Sequence, residues 1–145
     1  MYADIDKQGW KVALEGKVRE SETGYFVEPV IIDNPPEDSR IVVEEPFGPI
    51  VPLLKWSSVE DVIERANALE TGLGASVWSK DIESAEKIGR QINAGSVWIN
   101  SHFQAAPNVP FGGHKESGVG SEWGIHGFKQ YTNSRSLWVF KKVFE

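Results

Sequence analysis

The sequence predicts an α/β fold: a partial, doubly wound and mainly parallel sheet with flanking helices, followed by a C-terminal arm strand. Three observations lead there. Short apolar runs at 50–56, 75–78 and 96–100 alternate with two stretches of helical periodicity. The links between them are only a few residues long, as parallel crossovers require. The tail 134–143 has strand character but no strand neighbour in sequence, so it must pair at a distance or with another chain.

The elements follow in order. Tyr2–Gln8 reads as the end of a helix, with little before it to pack against. GYFVEPVIID (24–33) reads as a strand, and the Pro35–Pro36 pair as the turn after it. Val42–Glu45 leads into the Pro-Phe-Gly-Pro break at 46–49. Ile50–Trp56 is a buried strand that Pro52 places at an edge or bulge, because proline donates no ladder hydrogen bond. Ser57 and Glu60 form a capping box for a helix whose apolar face is Val59, Val62, Ile63, Ala66 and Leu69, with Gly72 and Gly74 as its stop. Ala75–Trp78 is a strand. Asp81 caps a second helix, with Ile82, Ala85, Ile88 and Ile92 on its apolar side and Gly95 as its stop. Ser96–Asn100 is the third strand. The chain is then loop-like as far as Gly120, with a short helix over Glu122–Gln130 and the tail strand Ser134–Val143.

Composition excludes several classes of function. The 145 residues carry 15 basic and 21 acidic side chains, a net charge of −6, which disfavours nucleic acid as a partner. No apolar run approaches the ~18 residues of a membrane-spanning helix, so no membrane partner is expected. No targeting signal stands at the start, which makes the cytoplasm the default location. The absence of cysteine removes disulfides, thiolate metal sites and any cysteine nucleophile from these residues. His102, His114 and His126 are twelve residues apart each time, a spacing that fits no helical or hairpin metal site, so no metal is expected. Gly118–Trp123 (GVGSEW) approaches a dinucleotide-binding turn but ends on tryptophan with no strand before it. No complete nucleophile-and-base pair can be assembled, and no catalytic residue is assigned.

Two stretches stand out. In Glu44-Glu45-Pro46-Phe47-Gly48-Pro49, adjacent carboxylates run into a rigid turn that fixes side-chain direction at low entropic cost. A carboxylate so placed can accept paired hydrogen bonds from vicinal hydroxyls; the plainer alternative is a solvated acidic loop with Phe47 tucked into the core. The second stretch, Asn100–Gly113 (NSHFQAAPNVPFGG), leaves the carboxyl end of the third strand, where open α/β sheets bind ligands. There His102, Phe103 and Phe111 could line an apolar pocket, or plug a surface loop.

These stretches occur in this order among others: EEPFGP, GLGASVWSKD (72–81), INAGSVWIN (92–100), PFGGHKESGVGSEWG (110–124) and QYTNSRSL (130–137). Together they resemble the C-terminal part of the aldehyde dehydrogenase superfamily over nearly the whole chain. The resemblance implies a division into 1–132, a C-terminal portion of the catalytic domain, and 133–145, an oligomerisation arm. It also implies NAD(P)-dependent oxidation of an aldehyde to a carboxylic acid, in which a cysteine thiolate attacks the carbonyl and a glutamate activates the hydrolytic water. On this resemblance Glu45 holds the nicotinamide ribose and Phe47 packs by the nicotinamide. Phe111 lines the aldehyde pocket, with His102 and Phe103 on its variable wall. The aromatic character of that wall is compatible with aryl or medium-chain aldehydes.

The implied cofactor is NAD or NADP, held mainly by an upstream Rossmann domain, so none is expected to bind tightly to these residues alone. The implied partners are the aldehyde, the upstream Rossmann and catalytic segments of the same chain, and further subunits of a homo-oligomer joined through the C-terminal strand. With the nucleophile, the general base and the Rossmann domain lying upstream, the chain is expected to be a fragment that does not catalyse by itself. The alternative, favoured by the Met at position 1, is a naturally short, non-catalytic binding or assembly module related to the family.

Overall fold

The computed structural model describes residues 1–16 and 23–141. It is an α/β structure of small sheets and flanking helices. Contacts divide it into two units, Met1–Glu70 and a second that begins at Thr71.

The first unit holds α1 (Tyr2–Gln8), β1 (Val12–Leu14), β2 (Val30–Asp33), α2 (Arg40–Val43), β3 (Ile50–Leu53) and α3 (Val59–Ala68). Its sheet has the order β1-β2-β3, with β1 antiparallel and β3 parallel to β2. Pro52 lies opposite Ile32 on β3, an edge strand of that sheet, where its missing N–H costs no ladder bond. Val30, Ile32, Ile41 and Ile50 are buried together, and Tyr2 and Ile5 of α1 pack against them. The helix at the chain's start therefore packs against residues that follow it in sequence. The Tyr2 hydroxyl donates to the carbonyls of Glu28 (3.1 Å) and Pro49 (3.2 Å), which ties α1 to the ends of the strands.

The second unit holds β4 (Thr71–Gly72), β5 (Gly74–Val77), α4 (Ile82–Gly89), β6 (Ser96–Ile99), β7 (His114–Lys115) and α5 (Gly124–Gln130). β5 and β6 pair in parallel from Gly74 opposite Ser96 to Val77 opposite Ile99, while β4 and β7 pair antiparallel. Of the two crossovers expected, β5–α4–β6 closes within one sheet; β3 pairs with β2 instead of with β5. Helix α4 lies on β6 through Gly89, where a Cβ would meet Ile99 Cδ1 at 3.0 Å and Val97 Cγ1 at 3.3 Å.

Several boundaries differ from expectation for local reasons. The cap of α3 is Ser58, not Ser57: its Oγ accepts from the Asp61 amide (3.2 Å) and donates to the Glu60 carboxylate (2.9 Å). The helix ends when Leu69 turns extended, before Gly72. Gly72 and Gly95 do not stop helices; they admit neighbouring backbone, since a Cβ on Gly95 would lie 1.6 Å from the Gly112 carbonyl oxygen. Asp81 caps α4 as expected, accepting from the Ser84 amide (3.1 Å) and hydroxyl (2.5 Å). Ile92 lies beyond the end of α4. The strand expected over 24–33 is formed only at Val30–Asp33, after Pro29. α5 begins at Gly124, not at Glu122. Residues 133–140 form no strand among the described residues, and Leu137, Trp138, Val139 and Phe140 are exposed. The end of the expected arm, 142–145, lies outside the described residues.

Candidate functional site

The first candidate stretch lies at the end of α2. Glu44 is the C-cap of that helix, and its carboxylate accepts from Arg40 Nε at 2.7 Å, one helical turn back. Its neighbour Glu45 is exposed and has no hydrogen bond or ion pair among the described residues. The paired carboxylates are thus separated by role: one closes the helix, the other is left to solvent. Phe47 is 95% exposed, so the expectation of a core plug is set aside. Ile50, three residues on, is buried, and the Val30 amide donates to the Pro49 carbonyl at 2.8 Å. The turn is therefore anchored at its far end to β2 while presenting Glu45 and Phe47 outward.

The second stretch leaves the carboxyl end of β6. Asn100 adopts a left-handed φ of 51°, which asparagine tolerates better than most residues. Its side chain forms a two-point clamp: Nδ2 donates to the Ser79 carbonyl (2.7 Å) and Oδ1 accepts from the Ser79 amide (2.8 Å). That clamp joins the loop ends after β5 and β6 and fixes the departure of the following loop. His102 Nδ1 then lies 2.8 Å from the Ser76 hydroxyl. The Trp98 indole N–H donates to the Gln104 carbonyl at 2.8 Å.

The rings of this loop lie together. Trp98 meets His102 edge-on at 5.6 Å and Phe103 at 6.3 Å, and Phe103 meets Phe111 edge-on at 6.0 Å. Phe111 continues the row to Trp123 at 5.8 Å. These are the offset and edge-to-face separations that aromatic quadrupoles favour. Phe111 itself is held by a two-way backbone bridge to Glu122, at 2.8 and 2.7 Å. All three residues expected at an apolar wall are therefore adjacent, with Phe111 half-buried and Phe103 64% exposed.

Trp98 and Trp123 were not among the residues expected in the row. The signal for Trp98 was its place between Val97 and Ile99 on a short strand, one step from the loop. Trp123 carried less signal, because its loop is drawn to Phe111 by pairing between distant segments. The other histidines stay apart from the row in sequence and partners: His114 Nδ1 lies 2.9 Å from Asn93 Oδ1, and His126 is exposed on α5.

Hydrogen bonds shift several charged groups. A hydrogen bond from Lys11 holds the Asp33 carboxyl below its usual range, and bonds from Ser84 do the same for Asp81. The Arg40 guanidinium is held further toward its charged form by the Glu44 carboxylate.

Comparison with known proteins gives one family. The sequence model of the Aldehyde dehydrogenase family matches residues 1–137. The FUS7 protein of Gibberella moniliformis is 44% identical over 139 residues, covering 96% of this chain and 30% of the relative. Aldehyde dehydrogenase 1A1 of Mesocricetus auratus is 40% identical over 131 residues, 90% of this chain and 26% of the relative. The structure resembles that of an aldehyde dehydrogenase from Bacillus cereus in complex with NAD+, with a TM-score of 0.88 and 41% identity, over 97% of this chain and 28% of that one. The chain thus spans about 30% of the length of the first curated relatives it matches.

Proposed function

The chain belongs to the aldehyde dehydrogenase family, and from that premise we propose that it is the C-terminal part of an enzyme that oxidises an aldehyde to a carboxylic acid with NAD or NADP. The observation that carries the reading is the outward pair at the turn after α2, an unpartnered carboxylate beside a ring that is 95% exposed. A burial-driven fold leaves a phenylalanine on a proline-stiffened turn only at a cost of apolar hydration, and a dinucleotide would remove that cost.

The donor set fits the cofactor. The Glu45 carboxylate can accept two hydrogen bonds from the vicinal hydroxyls of a ribose, and the Phe47 ring offers a flat apolar face to a nicotinamide. When bound, the dinucleotide would supply the two-electron acceptor that oxidation of an aldehyde requires. The residues present here would contribute orientation: Glu45 would hold the ribose hydroxyls and Phe47 would shield the nicotinamide from water. His102, Phe103 and Phe111 form a wall of the aldehyde pocket and hold the substrate by apolar contact. The thiolate is not among these residues, which contain no cysteine, and we assign none of their carboxylates as the general base. We place both groups, with the Rossmann domain, in upstream segments of the same protein, so that the present chain alone does not catalyse. The apolar run Leu137–Phe140, exposed in the isolated chain, supports assignment of 133–145 as an arm that pairs with another subunit.

The test is Glu45→Gln in the full-length enzyme, with hydride transfer followed in a single turnover by NADH absorbance. A neutral amide retains one acceptor oxygen and loses the charge, and hydrogen bonds to charged groups are the stronger class. Transfer about tenfold slower, with an unchanged circular dichroism spectrum, is the expected result. An unchanged rate removes Glu45 from the cofactor site.

A further inference from the structure

The aromatic row does not end at Phe111. We propose that Trp123 is a specificity-determining residue, its indole extending the Phe103–Phe111 wall so that the pocket favours aldehydes carrying an aryl ring over straight-chain ones. The inference rests on the substrate-binding reading given above and deepens it.

The argument begins with backbone conformation. Trp123 has φ 58° and ψ 177°, a region that glycine occupies easily and a bulky side chain only under constraint. The constraint is visible on both sides. Glu122 exchanges two backbone hydrogen bonds with Phe111, and the Gly124 amide donates to the Pro107 carbonyl at 3.0 Å. Gly124 is itself left-handed, and a Cβ there would stand 3.0 Å from the Pro110 nitrogen. Residues 122–124 are thus stapled to the loop that carries Phe111, and the staple aims the indole at that ring, 5.8 Å away and tilted by 39°.

Packing among the described residues does not account for this. Trp123 remains 42% exposed and Phe103 64% exposed, although the segments bearing them are held by specific hydrogen bonds. Rigid backbone presenting open ring surface suits recognition of a flat partner. An aryl ring meeting this surface gains the aromatic pair interaction in addition to area burial, whereas an alkyl chain of similar area gains burial alone. That pair term corresponds to roughly a two- to twelvefold preference per ring engaged.

The experiment compares Trp123→Leu and Trp123→Phe with the parent in the full-length enzyme, using phenylacetaldehyde and hexanal. Trp123→Leu is expected to lower the ratio of kcat/KM for phenylacetaldehyde to that for hexanal by about fivefold, through KM for the aryl substrate. Trp123→Phe should hold the ratio within about twofold. If upstream residues fill this surface instead, Trp123→Leu lowers the thermal midpoint and leaves the ratio unchanged, which overturns the proposal. Calorimetric titration with phenylacetate and hexanoate provides a readout without turnover. Should the parent oxidise no aldehyde, the enzymatic reading fails, and the proposal for Trp123 is then decided by whether Trp123→Leu selectively weakens phenylacetate binding. Equal loss for both carboxylates, or no loss, overturns it.

Discussion

Substituting Gly95 by alanine should damage the loop that carries Phe111 without touching any ring. An added Cβ would sit 1.6 Å from the Gly112 carbonyl oxygen and 3.4 Å from Gly113 Cα, against a floor of 3.0 Å for real contacts. The two backbones must therefore part by about 1.4 Å, since every atom met is backbone and not the end of a flexible side chain. Overpacking of this kind typically costs about 1–3 kcal/mol. The Gly95 amide also donates to the Gly72 carbonyl at 2.9 Å, and losing that bond adds about 0.5–1.5 kcal/mol. A loss of roughly 1.5–4.5 kcal/mol follows from these two effects, a large share of ordinary domain stability. Urea denaturation followed by tryptophan fluorescence measures it, with two glycines as internal comparisons. Gly48 has nothing within 4 Å of its would-be Cβ and no left-handed φ, so Gly48→Ala should stay within ~0.5 kcal/mol of the parent. Gly9 is equally open but has φ 66°, so Gly9→Ala should cost about 1 kcal/mol from backbone strain alone. Because Phe111 immediately precedes Gly112, Gly95→Ala should also raise KM for the aldehyde in the full-length enzyme. Gly95→Ala within ~0.5 kcal/mol of the parent, or no worse than Gly48→Ala, would refute the close approach of the two backbones.

Two further outcomes concern the core and the helix caps. Ile32 is fully buried while Val51 on the adjacent strand is half exposed, so Ile32→Ala should cost about 2–5 kcal/mol and Val51→Ala well under half of that in the same urea assay. The second outcome is the acid side of the stability profile. The folded-state pKa of Asp81 is lowered, chiefly by the Ser84 hydroxyl, as are those of Asp33 by Lys11 and Glu60 by its own amide and Ser58. A lowered pKa contributes stability that is present above the ordinary carboxylate range and is lost as pH falls through the folded value. The thermal midpoint should therefore fall as the pH drops below about 4. Asp81→Asn, whose amide oxygen still accepts from the Ser84 N–H, should keep most of the cap and weaken that pH dependence. An identical acid limb in the variant would remove Asp81 from the account.

What the sequence determined was local. Period and capping placed α3, α4 and β6 within a few residues, because a run such as Val59-Val62-Ile63-Ala66 forms an apolar stripe whatever surrounds it. Asp81 was legible as a cap for the same reason: its partner Ser84 is three residues away. Family membership was legible too, since it rests on ordered motifs and not on contacts. His102, Phe103 and Phe111 could be named as candidates from their place after a strand end. The shift from Ser57 to Ser58 was not legible, because two adjacent serines offer the same cap and the geometry of the incoming chain chooses between them.

The rest required the folded chain, and for most of it the reason is sequence separation. The role of Gly95 depends on a carbonyl 17 residues away, so a helix stop was the natural local reading and a close backbone approach the actual one. Trp123 enters the aromatic row because Glu122 bridges to Phe111 across a loop, a pairing that no periodicity announces. The division of Glu44 from Glu45 has a different reason: Arg40 is only four residues from Glu44, but no sequence signal announced the short helix α2 that brings the two together. Burial, likewise, is a property of the assembled surface: composition admits Phe47 to the core as readily as to solvent, and the fixed turn after α2 leaves it outside.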